Sequence, residues 1–226
     1  MHAQNPKPKT LALFDFDGTL YPHDSFTGFI FYALPKMHII KRGISILPWI
    51  IGYYLKLYPA HKMRPKLYSA MFRNTHFTEI DNLAESYAKK LIAHLDPALF
   101  EQLIKHQQCD HEIILVSATI DLYLNKVATQ LGIQVICSQV EIIDDQLSGA
   151  YLTADCSQQH KKQRVLNDYP VDQYPLIYAY GNSYEDVAML SLAQHAFMVG
   201  TDTQLPKLQS FHPCKLKNHF NRSGFL

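Results

Sequence analysis

Residues 10–20, TLALFDFDGTL, decide the reading of this 226-residue chain. The apolar run over 10–16 ends in acids, which predicts a buried strand with chemistry at its exit. Asp15 and Asp17 stand two apart and so leave the strand on the same side, while Gly18 permits a tight turn whose N–H groups can face an anion. A carboxylate so placed can attack phosphorus to give an aspartyl-phosphate, with a magnesium ion neutralising the charge between nucleophile and phosphate. Asp15 suits the nucleophile, and Asp17 can donate a proton to the leaving alkoxide and later take one from water. Taken alone, the same D-x-D pattern also describes an Asx-type turn with capping carboxylates.

Working outward, three more short apolar runs follow: HEIILVS at 111–117, PLIYAYG at 175–181 and AFMVG at 196–200. Helical patterns lie at 83–94, 97–107, 121–131, 161–168 and 184–193. Strands alternating with helices predict an α/β fold, a parallel sheet with helices on both faces. Residues 135–139 add a further strand, and EIIDDQLSGAYL at 141–152 reads as a hairpin. Residues 25–80 do not alternate and read as helices inserted beside the sheet, hence a cap. In such sheets ligands sit outside the carboxyl ends of the strands, which brings Asp15, Asp17, Ser117 and Asn182 near one crevice.

Three further elements bear on that crevice. Ser117 closes LVS with a hydroxyl that a phosphate oxygen can accept from, although a Ser before a helix also serves as an N-cap. In HKKQRVL, residues 160–166, Lys162 has Val165 and Leu166 three and four residues onward, so it is expected to face inward as a phosphate-binding charge while Lys161 points to solvent. In GNSYED, residues 181–186, Asp186 lies one turn from Asn182, and both can approach a cation held against Asp15.

This ordered set resembles the haloacid dehalogenase superfamily of phosphohydrolases from about residue 11 to 200. DFDGT matches its first motif residue for residue, Ser117 the second, Lys162 the third and GNSYED the fourth. The resemblance implies a Rossmann-like core over 10–24 and 81–205, a helical cap over 25–80 and a C-terminal tail over 206–226. It implies Asp15 as nucleophile, Asp17 as acid/base, Gly18, Ser117 and Lys162 on the phosphate, and Mg2+ held by Asp15, Asp17, Asn182 and Asp186. The insert is similar to the cap of the phosphoserine phosphatase-like branch, subfamily IB, where Asp24 stands at the place of a substrate-contacting Glu. One departure is Asn182, where the fourth motif usually begins with Asp. Its amide oxygen can coordinate but brings no charge, so Mg2+ affinity should be lower.

Composition narrows the substrate. Lys and Arg number 21 against 20 Asp and Glu, yet no acidic residue lies between Asp24 and Glu79. Lys36, Lys41, Arg42, Lys56, Lys62, Arg64, Lys66 and Arg73 all fall there, with Trp49, the only tryptophan. Residues 43–58, GISILPWIIGYYLKLY, carry one charge but are shorter than the ~20 apolar residues of a spanning helix. They read either as ordinary packed cap helices or as an interfacial element drawn to anionic lipid. The greasy cap is similar in character to phosphatidylglycerophosphatase C-like members. Two substrate classes therefore stay open: a phospholipid phosphate such as phosphatidylglycerophosphate, and a small soluble phosphomonoester such as phosphoserine. A weakly catalytic anion-binding protein is the reading from another class.

A nucleic-acid partner is not expected, since no reading motif accompanies the basic segment. The start MHAQNPKPKT has no apolar region to direct export, so a cytoplasmic location is expected, at the inner face of a membrane if the cap binds lipid. Cysteines 109, 137, 156 and 214 have no metal-ligand spacing and are expected reduced. His212, Cys214 and His219 are expected to hold no metal, for want of a fourth ligand.

Overall fold

A strand with no polar residue after its first is stable only where both faces are covered, and TLALF becomes the middle strand of the sheet. The computed structural model describes residues 9–209. In chain order the elements are β1 (Thr10–Phe14), α1 (Ser25–Ala33), α2 (Lys36–Ser45), α3 (Leu47–Tyr54), α4 (Ala60–Phe72), α5 (Phe77–Ala93), α6 (Pro97–Gln108), β2 (Glu112–Ile120), α7 (Asp121–Leu131), β3 (Gln134–Ser138), β4 (Val140–Ile143), β5 (Gln146–Tyr151), α8 (Gln159–Asp168), β6 (Leu176–Gly181), α9 (Val187–Leu190) and β7 (His195–Met198). Five strands form a parallel sheet in the order β3-β2-β1-β6-β7.

That order sets where a ligand can bind. From β1 the chain builds outward through β2 and β3, then returns to the other side of β1 with β6 and β7. The reversal lies between β1 and β6, the place where an open α/β sheet forms its crevice. Asp15 follows β1 and Asn182 follows β6, so both stand at that point.

Side chains along β1 alternate between two cores, Leu11 and Leu13 on one face, Ala12 and Phe14 on the other. Local signals start and stop the helices. Asp96 caps α6 by accepting from the N–H groups of Ala98 and Leu99, with Pro97 at its first position, and Gly132 ends α7 in the left-handed region. The β4–β5 hairpin turns through Asp144 and Asp145, both with positive φ, as a two-residue primed turn requires.

Several bounds differ from the sequence reading. β2 runs on past Ser117 to Ile120, with a register shift against β3 after Val116. The helix expected over 184–193 is a 3-10 turn, Tyr184–Asp186, followed by the short α9. The hairpin packs on α4, and Asn74 N–H and Leu147 N–H tie it to the insert through Leu147 and Thr75 carbonyls at 2.9 and 3.0 Å. The first residues assigned to the tail are fastened to the core: the Pro206 carbonyl accepts from Gln102 and the Gln209 N–H donates to the Tyr178 hydroxyl. His212, Cys214 and His219 lie outside the described residues. Cys137 and Cys156 are free and buried, whereas Cys109 is disulfide-bonded, against the expectation of a reduced thiol.

Candidate active site

The strand ends and the inserted helices enclose a cavity of about 510 Å³. Its floor carries Asp15, Asp17, Ser117 and Asn182, the four polar groups expected at the crevice, together with Asp186. Asp24 lines it as well, from the N-cap of α1, where its carboxylate accepts from Thr27 N–H at 3.0 Å and Thr27 Oγ1 at 2.8 Å.

The turn after β1 depends on Gly18. Its φ is +78°, and a Cβ there would stand 2.0 Å from Asn182 Nδ2, so the close approach of the first and fourth motifs requires glycine. Its N–H donates to the Tyr21 carbonyl at 2.7 Å, which closes the turn. Asp15 is buried. Its Oδ2 accepts from Thr19 Oγ1 at 2.9 Å, and its Oδ1 accepts from the ammonium of Lys161 at 2.5 Å.

The basic residue corrects the sequence reading. Lys161 is 2% exposed and bridges Asp15 to Asp186, whereas Lys162 projects outward and donates to Ser191 Oγ at 3.0 Å. The expectation assumed that Val165 and Leu166 both face inward. Only Val165 does, for Leu166 is 41% exposed, and the inward stripe of α8 therefore runs through positions 161 and 165.

Burial governs the acids. It raises Asp15 above the usual carboxylate range, opposed chiefly by the Lys161 charge, while Asp186 nearby adds to the rise. Burial likewise raises Asp17 to about 7, against a hydrogen bond from Ser25 that favours the charged form; the Asp24 carboxylate pushes it further up. Asp17 Oδ1 accepts from Ser25 N–H at 2.8 Å, and Ser25 Oγ meets the Tyr123 hydroxyl, which also bonds Thr119. Asp17 can therefore exchange a proton near neutral pH. Asp186 Oδ2 accepts from the N–H groups of Asn182 and Ser183, and the approach of Asp186 Cβ to Gly181 excludes a side chain there. Ser117 is buried, with its Oγ accepting from Thr119 N–H.

Arg64 of α4 was not singled out as a site residue from the sequence. It holds Asp155 with two hydrogen bonds of 2.8 and 2.9 Å and Glu185 at 3.2 Å, so it fastens the insert to the loop that carries Asp186. Nothing in the local sequence reveals it, because its partners stand 91 and 121 residues away.

Oxygen donors crowd the floor, the chemistry that suits Mg2+, which is held by one or two carboxylates with water and substrate phosphate completing its shell. Among the described residues no three His, Cys, Asp or Glu side chains converge as a preformed metal cluster; Asp15 and Asp186 converge on Lys161. The donor set fits the ion in that open form.

The sequence matches the haloacid dehalogenase-like hydrolases over residues 12–191. The chain belongs to that family. Its likeness to curated proteins spans nearly the whole length: 26% identity over 216 residues to a histidinol-phosphatase of Neisseria meningitidis, covering 88% of this chain and 94% of that one. A probable phosphatase of Mycobacterium tuberculosis is 21% identical, covering 89% and 72%. Among solved structures, a Bordetella pertussis Tohama I protein of unknown function superposes with a TM-score of 0.70 at 19% identity, over 85% of this chain and 90% of that one. A phosphoserine phosphatase in a phospho-aspartyl intermediate analogue form superposes at 0.60 and 16% identity, over 85% and 87%. These structures share the fold. The haloacid dehalogenase-like chain is a phosphatase, and magnesium and an aspartyl-phosphate are general to its family.

Proposed function

We propose that this phosphatase is a magnesium-dependent phosphomonoesterase of subfamily IB, with residues 25–80 as its cap, that acts on a phospholipid phosphate. The observation that carries the chemistry is the buried Lys161 ammonium between Asp15 and Asp186, on the floor that also holds Asp17. Thr19 and Lys161 orient Asp15 for attack on phosphorus, while Lys161 and the Ser117 hydroxyl hold the phosphoryl oxygens. As the bond from phosphorus to the leaving oxygen breaks, Asp17 gives that oxygen its proton. Asp17 then takes a proton from water, which attacks phosphorus and breaks the bond to Asp15, releasing inorganic phosphate. Asp15, Asp17, Asn182 and Asp186 would hold Mg2+, which when bound offsets the negative charge gathered at phosphorus.

The walls favour an apolar alcohol portion. Above the floor stand Ile30, Ile39, Ile50, Met63, Leu67 and Met71. The cations that line the cavity are Arg64 and Lys161, and Arg64 is already paired with Asp155 and Glu185. A substrate carrying its own carboxylate, such as phosphoserine, would find no unpaired cation beyond the floor among the described residues. A second reading, a small soluble phosphomonoester bearing an amine, is favoured by the histidinol-phosphatase likeness and by the Asp24 carboxylate on the cavity wall.

Phosphate release from a short-chain phosphatidylglycerophosphate, phosphoserine, histidinol phosphate and an aryl phosphate, each with and without Mg2+, tests the proposal. The expected result is metal-dependent turnover with the largest kcat/KM on the lipid phosphate. A larger value on a soluble ester overturns the substrate assignment, and no turnover of any ester with Mg2+ overturns the mechanism in favour of anion binding.

A further inference from the structure

Helices α2 and α3 carry an apolar surface that the fold leaves uncovered. Of the nineteen exposed large hydrophobic side chains among the described residues, eight lie on these two helices, and six of them, Met37, Ile40, Ile44, Leu47, Trp49 and Ile51, do not line the cavity. On α2, Met37, Ile40 and Ile44 share one face by helical spacing and are 72%, 55% and 66% exposed. Neither helix has a fully buried residue. Scattered apolar side chains on a surface are ordinary; their concentration on two neighbouring helices marks a binding face.

Charge says what covers it. Exposed Lys36 and Lys41 flank the apolar face of α2 on either side, and no carboxylate lies between Asp24 and Glu79 to oppose them. A second copy pairing through this face would set the same cations against each other, since a symmetric interface joins a patch to itself. No helix among the described residues is long and apolar enough to cross a membrane. What fits is a surface with anionic groups outside and hydrocarbon immediately beneath. The other side of the same helices faces the cavity through Ile39, Gly43, Ile50 and Tyr53, so a bilayer on the outer face would sit beside the cavity mouth.

We infer that the α2–α3 face is a docking surface for an anionic bilayer, placing the cavity against the leaflet from which a lipid phosphate is drawn. The cargo rests on the phospholipid-phosphate reading; the docking rests on the surface itself. Lys36 and Lys41 meet headgroups, Met37, Ile40 and Ile44 enter the acyl boundary, and Trp49, exposed with the Lys66 ammonium 3.9 Å from its ring, sits at headgroup level.

Trp49 is the only tryptophan, so its fluorescence reports this face alone. The full chain is titrated at low salt with vesicles of phosphatidylglycerol and phosphatidylcholine, and with phosphatidylcholine alone, following sedimentation and Trp49 emission. The expected result is sedimentation and a blue shift with the anionic vesicles, quenching by brominated lipid, and weak binding to the zwitterionic ones. Each surface cation contributes about a fivefold factor, so Lys36→Gln with Lys41→Gln should weaken partitioning about thirtyfold. Ile40→Asp with Ile44→Asp should abolish the blue shift. Neither pair lines the cavity, so both double variants should keep the wild-type rate on an aryl phosphate, which also shows that they fold. Protein that stays in the supernatant with anionic vesicles overturns the docking surface, as does a dimer that Ile40→Asp with Ile44→Asp dissociates. Turnover of short-chain lipid phosphate without vesicle binding would overturn docking alone. Vesicle binding without lipid turnover would support docking while removing the substrate reading.

Discussion

Replacing Lys161 by Met separates the two neighbouring lysines by energy as well as by position. The ammonium is buried between Asp15 and Asp186, and Met keeps all but the last atom of the side chain's length while removing the charge. Two buried carboxylates then lose their shared partner. Removing one member of a buried ion pair costs about 3–5 kcal/mol, and in a chain of this size each kcal/mol lowers Tm by roughly 2–4 °C, so the fall should be roughly 6–20 °C. Lys162→Met removes an exposed cation whose partner is the Ser191 hydroxyl, and should change stability by no more than about 0.5 kcal/mol.

The cost must also depend on pH. Burial already raises Asp15, and losing Lys161 removes the largest opposing influence, so Asp15 in the variant takes up a proton more readily. Protonation removes the unpaired charge, and the gap in Tm between wild type and Lys161→Met should narrow from pH 8 to pH 5. Calorimetry of metal-free protein at both pH values, with phosphate release at pH 7, provides the assay. Turnover should fall by about 10²–10³ in Lys161→Met, the loss typical of one preorganised charge donor, and stay near wild type in Lys162→Met. Equal stability losses in the two variants, or a larger one in Lys162→Met, would refute the reasoning.

Asp15→Asn should abolish turnover while leaving circular dichroism unchanged, because the amide cannot act as nucleophile; activity near wild type would remove Asp15 from that role. Asn182→Asp should lower the Mg2+ activation midpoint by adding a charge beside Asp186, and an unchanged or raised midpoint would take residue 182 out of the metal's coordination. Asp17 has its proton held more tightly in the fold, at about 7 against an ordinary 3.8, so the folded chain binds more protons in that window and stability falls as pH rises through it. Asp17→Asn should therefore gain stability relative to wild type between pH 4 and 7 in metal-free denaturation, and a gap independent of pH would contradict the buried carboxylate.

How much of this was legible in the sequence depended on what set the orientation of each residue. DFDGT was readable because its geometry is local: two carboxylates on one side of a strand exit, and a glycine whose positive φ turns the chain. The two aspartates in Asp144-Asp145 similarly disclose their hairpin. Strand order was partly readable, since alternation of strand and helix dictates parallel pairing but not where the order reverses. Arg64 was invisible as a site residue because nothing near it in sequence shows that Asp155 and Glu185 will meet it.

The lysine pair shows the limit most sharply. Neighbouring residues on a helix are turned by about 100°, so an error of one position in phase exchanges a buried side chain for an exposed one. The phase of α8 is fixed by its entry, where Gln158 adopts φ +51°, and by Val165 docking on the sheet. Both Val165 and Leu166 are apolar, and the sequence alone weighs them equally. What decides between them is that the sheet face under α8, lined by Leu13, Val116 and Ala179, receives one row of side chains, and the row ending in Val165 begins at Lys161. A charge enters that row because Asp15 and Asp186 wait at its end, 146 and 25 residues away in sequence. The partner that makes burial of an ammonium tolerable is assembled only by the fold, so a rule that assigns the inward face from apolar neighbours must fail where a paired cation takes a core position.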